Sequence, residues 1–160
     1  MSYATTDLSD AHPDAPVCAP IFRDFGGVIA FHGQIKTLKV FEDNGQVRAT
    51  LETPGEGRVL VVDGGGSDRC ALVGGNLGAL GVNNGWAGIV VYGYIRDSEE
   101  IGAQMIGVKA LGLHPKKSEK GLHSAQVDKV VTFAGVHFHS GHWLYADRDG
   151  IVVSDKPLHG

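Results

Sequence analysis

Two runs of β-branched residues constrain this chain more than any other feature. Arg58-Val59-Leu60-Val61-Val62-Asp63 and Gly88-Ile89-Val90-Val91-Tyr92 are apolar without alternation, as strands buried on both faces are. The first run stops at Gly64-Gly65-Gly66. Between the two lies an apolar segment from Cys70 to Val82, followed by Asn83-Asn84-Gly85, a helix-stop signal. Strand, helix, strand in this order predicts a right-handed parallel crossover.

The remaining segments extend this unit. Thr5 to Ala11 reads as a short helix with Thr5 or Thr6 as its N-cap. The stretch from His12 to Pro20 holds three prolines and predicts an irregular arm. Gly33 to Phe41 alternates apolar and polar, which argues a half-buried strand. Asn44 to Thr53 reads as a helix, with Val47 and Leu51 one turn apart, and Val108 to Leu113 as a third strand. Lys116 to Ser124 is polar and reads as a mobile loop. From Val127 onward the pattern changes to short strands at Val130–Phe133, Val136–Phe138, Trp143–Ala146 and Ile151–Ser154, with turns between them. With no repeat, low-complexity tract or linker in its 160 residues, the expectation is one α/β domain with layered sheets spanning 1–160.

Composition narrows the function classes. The net charge is −4 and no basic face is evident, so direct binding of nucleic acid through phosphates is not expected. A partner protein that itself binds RNA stays open. Cys18 and Cys70 are far apart and form no CxxC pair, which argues against a disulfide framework and for the cytoplasm. Met1 to Asp10 lacks the layout of a signal peptide, and the longest apolar run, Ile89 to Tyr92, is too short to span a bilayer. No membrane association is expected.

Four segments are candidates for chemistry. Asp63-Gly64-Gly65-Gly66-Ser67 follows a strand; it could cradle a phosphate or carboxylate, or be a tight strand-to-helix turn. It does not match GxGxxG. Gly74-Gly75-Asn76-Leu77 reads as a helix start, because glycine inside a helix costs about 1 kcal/mol. Its free N–H groups would favour a carboxylate, and a close helix–sheet contact is the plainer alternative. Arg96-Asp97 follows the second buried strand, where open α/β sheets bind ligands. The guanidinium suits a carboxylate and the aspartate suits Mg²⁺ or Mn²⁺, although such pairs are common on surfaces. His137, His139 and His142 could ligate a transition metal or simply face solvent. No GxSxG elbow signals a serine nucleophile, and Cys70 and His114 read as structural.

Read together, these segments resemble the RraA-like family over nearly the whole chain. The matching pieces are Thr6 to Asp10, Phe25-Gly26-Gly27 with Phe31-x-Gly33, Val40 to Asn44, Val59 to Ser67, Ala71 to Gly74, Asn84-Gly85-Trp86 with Gly88 to Gly93, Ile106 to Leu111, and Tyr145 to Ile151. Their order and spacing carry the resemblance. It implies a layered α/β/β/α fold similar to phosphohistidine swivelling domains, and a homotrimer with sites near the subunit boundaries. Aldolase members carry Asp, twenty residues, then Arg-Asp. Here Arg96 and Asp97 match the pair and Gly75 stands at the first Asp.

The resemblance further implies a divalent-metal-dependent, class II lyase. Such enzymes cleave 4-hydroxy-4-methyl-2-oxoglutarate to two pyruvates and decarboxylate oxaloacetate through the same pyruvate enolate. In it Arg96 would be catalytic and substrate-binding, and Gly74, Gly75, Asn76 and Leu77 would bind the carboxylate of a small 2-oxo acid. Asp97 would hold Mg²⁺ or Mn²⁺. The alternative is a non-catalytic regulator that binds ribonuclease E, which the missing Asp at 75 and the acidic balance support. A third reading, methyltransferase in menaquinone synthesis, has only the glycine run behind it.

Overall fold

Alternation along the buried strands sends successive side chains to opposite faces of the sheet, and so divides the apolar residues into two cores. The computed structural model describes residues 3–121 and 124–159. Helix α1 (Thr5–Ala11) is followed by strands β1 (Arg23–Asp24) and β2 (Phe31–Lys39), then α2 (Gly45–Leu51) and β3 (Val59–Asp63). Next come β4 (Ala71–Val73), α3 (Gly75–Asn83), β5 (Gly88–Ile95), α4 (Ser98–Gly102) and β6 (Gly107–Leu113). The chain ends with β7 (Gln126–Val127), β8 (Val131–Phe133), β9 (Val136–Phe138), β10 (Trp143–Asp147) and β11 (Gly150–Ser154).

The main sheet runs β1-β6-β5-β3-β2-β10-β11, with β4 beside β5 and β7 beside β2. Its centre, β2, β3, β5 and β6, is parallel, with Ile35 opposite Val59, Val59 opposite Gly88, and Gly88 opposite Gly107. The connection from β3 to β5 therefore passes through α3 to a parallel neighbour, as the strand–helix–strand order predicts. Leu60, Val62, Ile89, Val91 and Val108 face α2, α3 and the turn after α4, where they meet Val47, Leu51, Leu77, Ile101 and Ile106. Val59, Val61 and Val90 face the other way, onto Phe31, Ile35, the β8–β9 hairpin and the inner side of β10 and β11. Each fully buried aliphatic side chain here contributes about 1.5–3 kcal/mol. Helix α1 packs on β10 and β11, completing the layered α/β/β/α arrangement.

Three expectations need correction. Neither Thr5 nor Thr6 is the N-cap of α1; Ala4 is, without a side-chain cap. Thr5 is instead the first helical residue, and gives its N–H (2.8 Å) and Oγ1 (2.7 Å) to the carboxylate of Asp147. An acid from the end of β10 thus does the capping. The segment after β6 is also less free than its polarity suggests. Lys116 O accepts from Ala71 N–H at 2.8 Å, Glu119 N–H donates to Glu42 O at 3.0 Å, and Ser118 is buried. Residues 122 and 123 of that expected loop lie outside the described residues. Strand β5 runs on to Ile95, past the expected Tyr92, because Tyr94 and Ile95 pair with β4 and β6.

Candidate active site

Two chain reversals meet at the C-terminal ends of the parallel strands. Strand β4 turns into α3 at Gly74, and β5 turns into α4 at Arg96 and Asp97. They are stitched together by Arg96 N–H donating to Val73 O at 2.9 Å and by Gly75 N–H donating to Asp97 Oδ2 at 2.8 Å. Asp97 sits at φ 62° and ψ 50°, the left-handed region, where a non-glycine residue costs roughly 1–3 kcal/mol and is found mainly at functional positions. A Cβ on Gly74 would stand 2.8 Å from Asp97 Oδ2 and 3.5 Å from Arg96 Nε. Gly74 is therefore what lets the Arg–Asp pair close onto α3.

Helix α3 has no side chains on the face it turns to α4, because Gly75, Gly78 and Gly81 recur there every third residue. Each slot is filled from the opposite segment. A Cβ at Gly75 would lie 1.1 Å from Glu100 Oε2, at Gly78 2.0 Å from Gln104 Oε1, and at Gly81 2.7 Å from Ile106 Cδ1. A helix does begin at Gly75, but the close contact that its glycines allow is with the side chains of Glu100 and Gln104, not with the sheet. The carboxylate of Glu100 occupies the space in which a side chain at position 75 would start. Sequence reasoning missed Glu100. The signal was available: Asp97 and Glu100 are three apart at a helix start, on one face, and position 75 has no side chain of its own.

The geometry sorts the remaining site residues. Arg96 is half-buried, and its Nη1 reaches Pro115 O at 3.4 Å. Asn76 is exposed, whereas the Leu77 side chain is buried in the helix-side core, so only its backbone can meet a ligand. The N–H groups of Gly75, Asn76 and Leu77 lie in the first turn, where no intrahelical acceptor exists. That of Gly75 is taken by Asp97, which leaves those of Asn76 and Leu77 for an anion. Asp97 and Glu100 are exposed, and Asp97 Oδ1 has no hydrogen bond among the described residues. Two hard carboxylates beside one guanidinium are a donor set that could hold Mg²⁺ or Mn²⁺, with water and substrate filling the other positions.

The other candidates are used structurally. In the Gly64–Gly66 turn, the N–H groups of Gly64 and Gly66 donate to Tyr92 O and that of Gly65 to Asp63 Oδ1. The turn is closed on itself and offers no phosphate cradle. His137 Nδ1 bonds Thr132 Oγ1 at 2.7 Å, and the rings of His139 and His142 stack 4.4 Å apart. Among the described residues no group of three or more His, Cys, Asp or Glu is placed to hold a metal unaided. These histidines border a cleft of about 670 Å³ beside the proline-containing arm, on residues other than those at Arg96. His114 Nδ1 accepts from Lys116 N–H. Cys18 and Cys70 are both buried and free. Burial pushes the Cys18 thiol up to about 12 against the pull of the Lys109 charge, and raises that of Cys70, so neither is a ready thiolate.

Known proteins share this sequence and this fold. The family model described as RraA-like: Aldolase/RraA matches residues 5–153. A protein of Alkalilimnicola ehrlichii, provisionally named 4-hydroxy-4-methyl-2-oxoglutarate aldolase, is 59% identical over 160 residues, covering 99% of this chain and 98% of the relative. A crystal structure from Geobacillus kaustophilus, described as an S-adenosylmethionine: 2-dimethylmenaquinone methyltransferase, superposes with a TM-score of 0.95 at 47% identity, covering 98% of this chain and 97% of that one. The RNA-processing inhibitor RraA from Thermus thermophilis also gives 0.95, at 46% identity, covering 100% and 97%.

Proposed function

The chain belongs to the RraA-like family, and from that premise we propose that it is a divalent-metal-dependent lyase: a 4-hydroxy-4-methyl-2-oxoglutarate aldolase that also decarboxylates oxaloacetate. The observation that carries this reading is the carboxylate of Glu100 in the space left by Gly75, next to Asp97. The position that bears an aspartate in aldolase members is Gly75 in this chain, yet the volume of the missing side chain holds the acid of Glu100.

In this reading the N–H groups of Asn76 and Leu77 take the carboxylate of a 2-oxo acid, with Gly74 and Gly75 giving the turn its close approach. Asp97 and Glu100 hold the Mg²⁺ or Mn²⁺ ion. When bound, the cation supplies Lewis-acid stabilisation of negative charge on the keto oxygen. Arg96 orients the substrate and offsets the same charge. In aldol cleavage Glu100 accepts the proton of the 4-hydroxyl group, directly or through water. The C3–C4 bond breaks, C4 becomes the carbonyl of one pyruvate, and the electron pair stays with C3 as the enolate of the other. Protonation at C3 gives the second pyruvate. With oxaloacetate the same bond breaks, carbon dioxide leaves, and the same enolate is protonated. We place this chemistry in a single domain spanning 1–160, in a homotrimer working in the cytoplasm. Among the described residues no helix is long and apolar enough to cross a membrane.

The test is oxaloacetate decarboxylation by purified protein with Mg²⁺ or Mn²⁺, then with EDTA. Turnover above that of free metal, lost in EDTA and lost about 10²–10³-fold in Arg96→Ala, is expected. No turnover in the wild-type chain would sink the lyase reading.

The structural match to an RNA-processing inhibitor favours one second reading, a regulator that binds ribonuclease E. Arg96→Ala separates the two, since surface-mediated inhibition would survive it. The methyltransferase description of another match gains no support, because the glycine-turn amides that would cradle a cofactor are consumed internally.

A further inference from the structure

We propose that Gln104 is a positioning residue for the carboxylate-binding turn of α3; the proposal rests on the lyase reading above. Its side chain fixes the plane of the peptide between Gly75 and Asn76. The Gly75 carbonyl and the Asn76 N–H belong to one planar unit. Gln104 Nε2 donates to Gly75 O at 2.9 Å, and so sets the direction in which the Asn76 N–H points. The preceding peptide is pinned in the same way, by Gly75 N–H on Asp97 Oδ2. Two consecutive peptides at the helix start are thus each held by one side chain. Glycine is the residue type for which such pins matter most, because its backbone has the widest freedom.

Gln104 is itself firmly held. Its carbonyl accepts from Gly27 and Ile106 N–H, each at 2.9 Å, and its own N–H donates to Ile101 O at 3.0 Å. Its amide fills the slot left at Gly78, where a Cβ would lie 2.0 Å from Oε1. Oε1 is buried there without a hydrogen-bond partner among the described residues. Exchanging the amide's oxygen and nitrogen would set two acceptors against each other at Gly75 O, so the donor must face Gly75. An orphaned buried acceptor costs about 1–3 kcal/mol. A position kept at that cost points to use at a site rather than to packing alone.

Gln104→Met keeps the shape and removes the donor, while Gly78→Ala evicts the amide and leaves Gln104 in the sequence. Both variants are compared with wild type in Mn²⁺-dependent oxaloacetate decarboxylation, in calorimetric binding of oxalate, and in backbone amide ¹⁵N resonances. We expect KM and the oxalate Kd to rise roughly 10-fold with kcat changed less than about 3-fold. We also expect the Asn76 amide resonance to shift, since it shares a peptide with Gly75 O, while that of Val91 in the central strand does not. Unchanged KM and an unchanged Asn76 resonance would overturn the proposal. So would shifts throughout the chain with a matching loss of Tm, since that marks a purely structural residue. Absence of turnover in the wild-type chain would remove the lyase reading, while the Asn76 resonance in Gln104→Met would still decide whether the pin exists.

Discussion

Two helices of this molecule begin under an aspartate brought from a distant strand, at the same distance. Thr5 N–H donates to Asp147 Oδ2 at 2.8 Å at the start of α1, and Gly75 N–H to Asp97 Oδ2 at 2.8 Å at the start of α3. The resemblance ends there. Asp147 spends both oxygens: Oδ1 also accepts from Thr5 Oγ1 at 2.7 Å and from Asp149 N–H at 3.0 Å. Its residue is half-buried in ordinary strand conformation. Asp97 uses one oxygen, is exposed, and sits in the left-handed region. A saturated cap stabilises; an unsaturated one, held in a strained backbone beside a guanidinium and a second carboxylate, keeps capacity for a ligand. Satisfaction of hydrogen bonds, rather than residue type, separates the two aspartates.

The sharpest way to break that comparison is to remove the unsaturated acid. Asp97→Ala is expected to lower metal-dependent oxaloacetate turnover at least ~100-fold with a change in Tm of only a few degrees. A large loss of Tm with turnover retained would mean that Asp97 is a cap like Asp147 and no more. Next in size is an exchange of carboxylates. Glu100→Ala should cost about 10–100-fold in metal affinity, read as the Mn²⁺ concentration giving half-maximal rate. Adding Gly75→Asp to Glu100→Ala should recover part of that loss, because the new side chain then enters vacated space. Gly75→Asp alone should not help, since its Cβ would lie 1.1 Å from Glu100 Oε2. Equal effects with and without Glu100 would show that the two positions do not share one volume.

Much of this was legible in the sequence, and the limit has a physical cause. The central strands announce themselves because burial on both faces leaves no polar position in Val59–Asp63 except its last. The start of α3 is readable because paired glycines are a poor helix interior. Arg96 and Asp97 are readable because they follow a buried strand. Gln104 is not, and Glu100 carries only a weak signal, its spacing from Asp97, since a short polar run after a strand looks like any solvated turn. Both gain their roles only when α4 and the turn after it lie against the glycine face of α3, a contact between segments more than twenty residues apart. The capping of α1 is harder still to read, because Thr5 and Asp147 are 142 residues apart and local N-cap rules see only the threonines.

The smallest effect comes from the saturated acid, and its pH dependence sharpens the contrast. Burial works to raise the Asp147 carboxyl, but hydrogen bonds from Thr5, Asp149 and Gly150 outweigh it and hold the group below the usual aspartate range. A carboxyl lowered in the folded state contributes stability that is fully present above its unfolded pKa of about 3.9. That contribution is lost as the pH falls through the folded value. Asp147→Asn keeps one acceptor oxygen and removes the charge. It should cost about 1 kcal/mol near neutral pH, a fall in Tm of roughly 2–4 °C. The gap from wild type should narrow as the pH drops below about 4, where the carboxyl begins to protonate in the unfolded chain while the folded one stays charged. Oxaloacetate turnover per folded molecule should match wild type throughout. Thermal melts and initial rates from pH 3 to 8 measure both quantities on the same samples. A gap that stayed constant with pH would mean that Asp147 acts by shape rather than by charge. A loss of turnover at neutral pH would mean that the two helix starts are coupled, and that α1 belongs to the working part of the molecule after all.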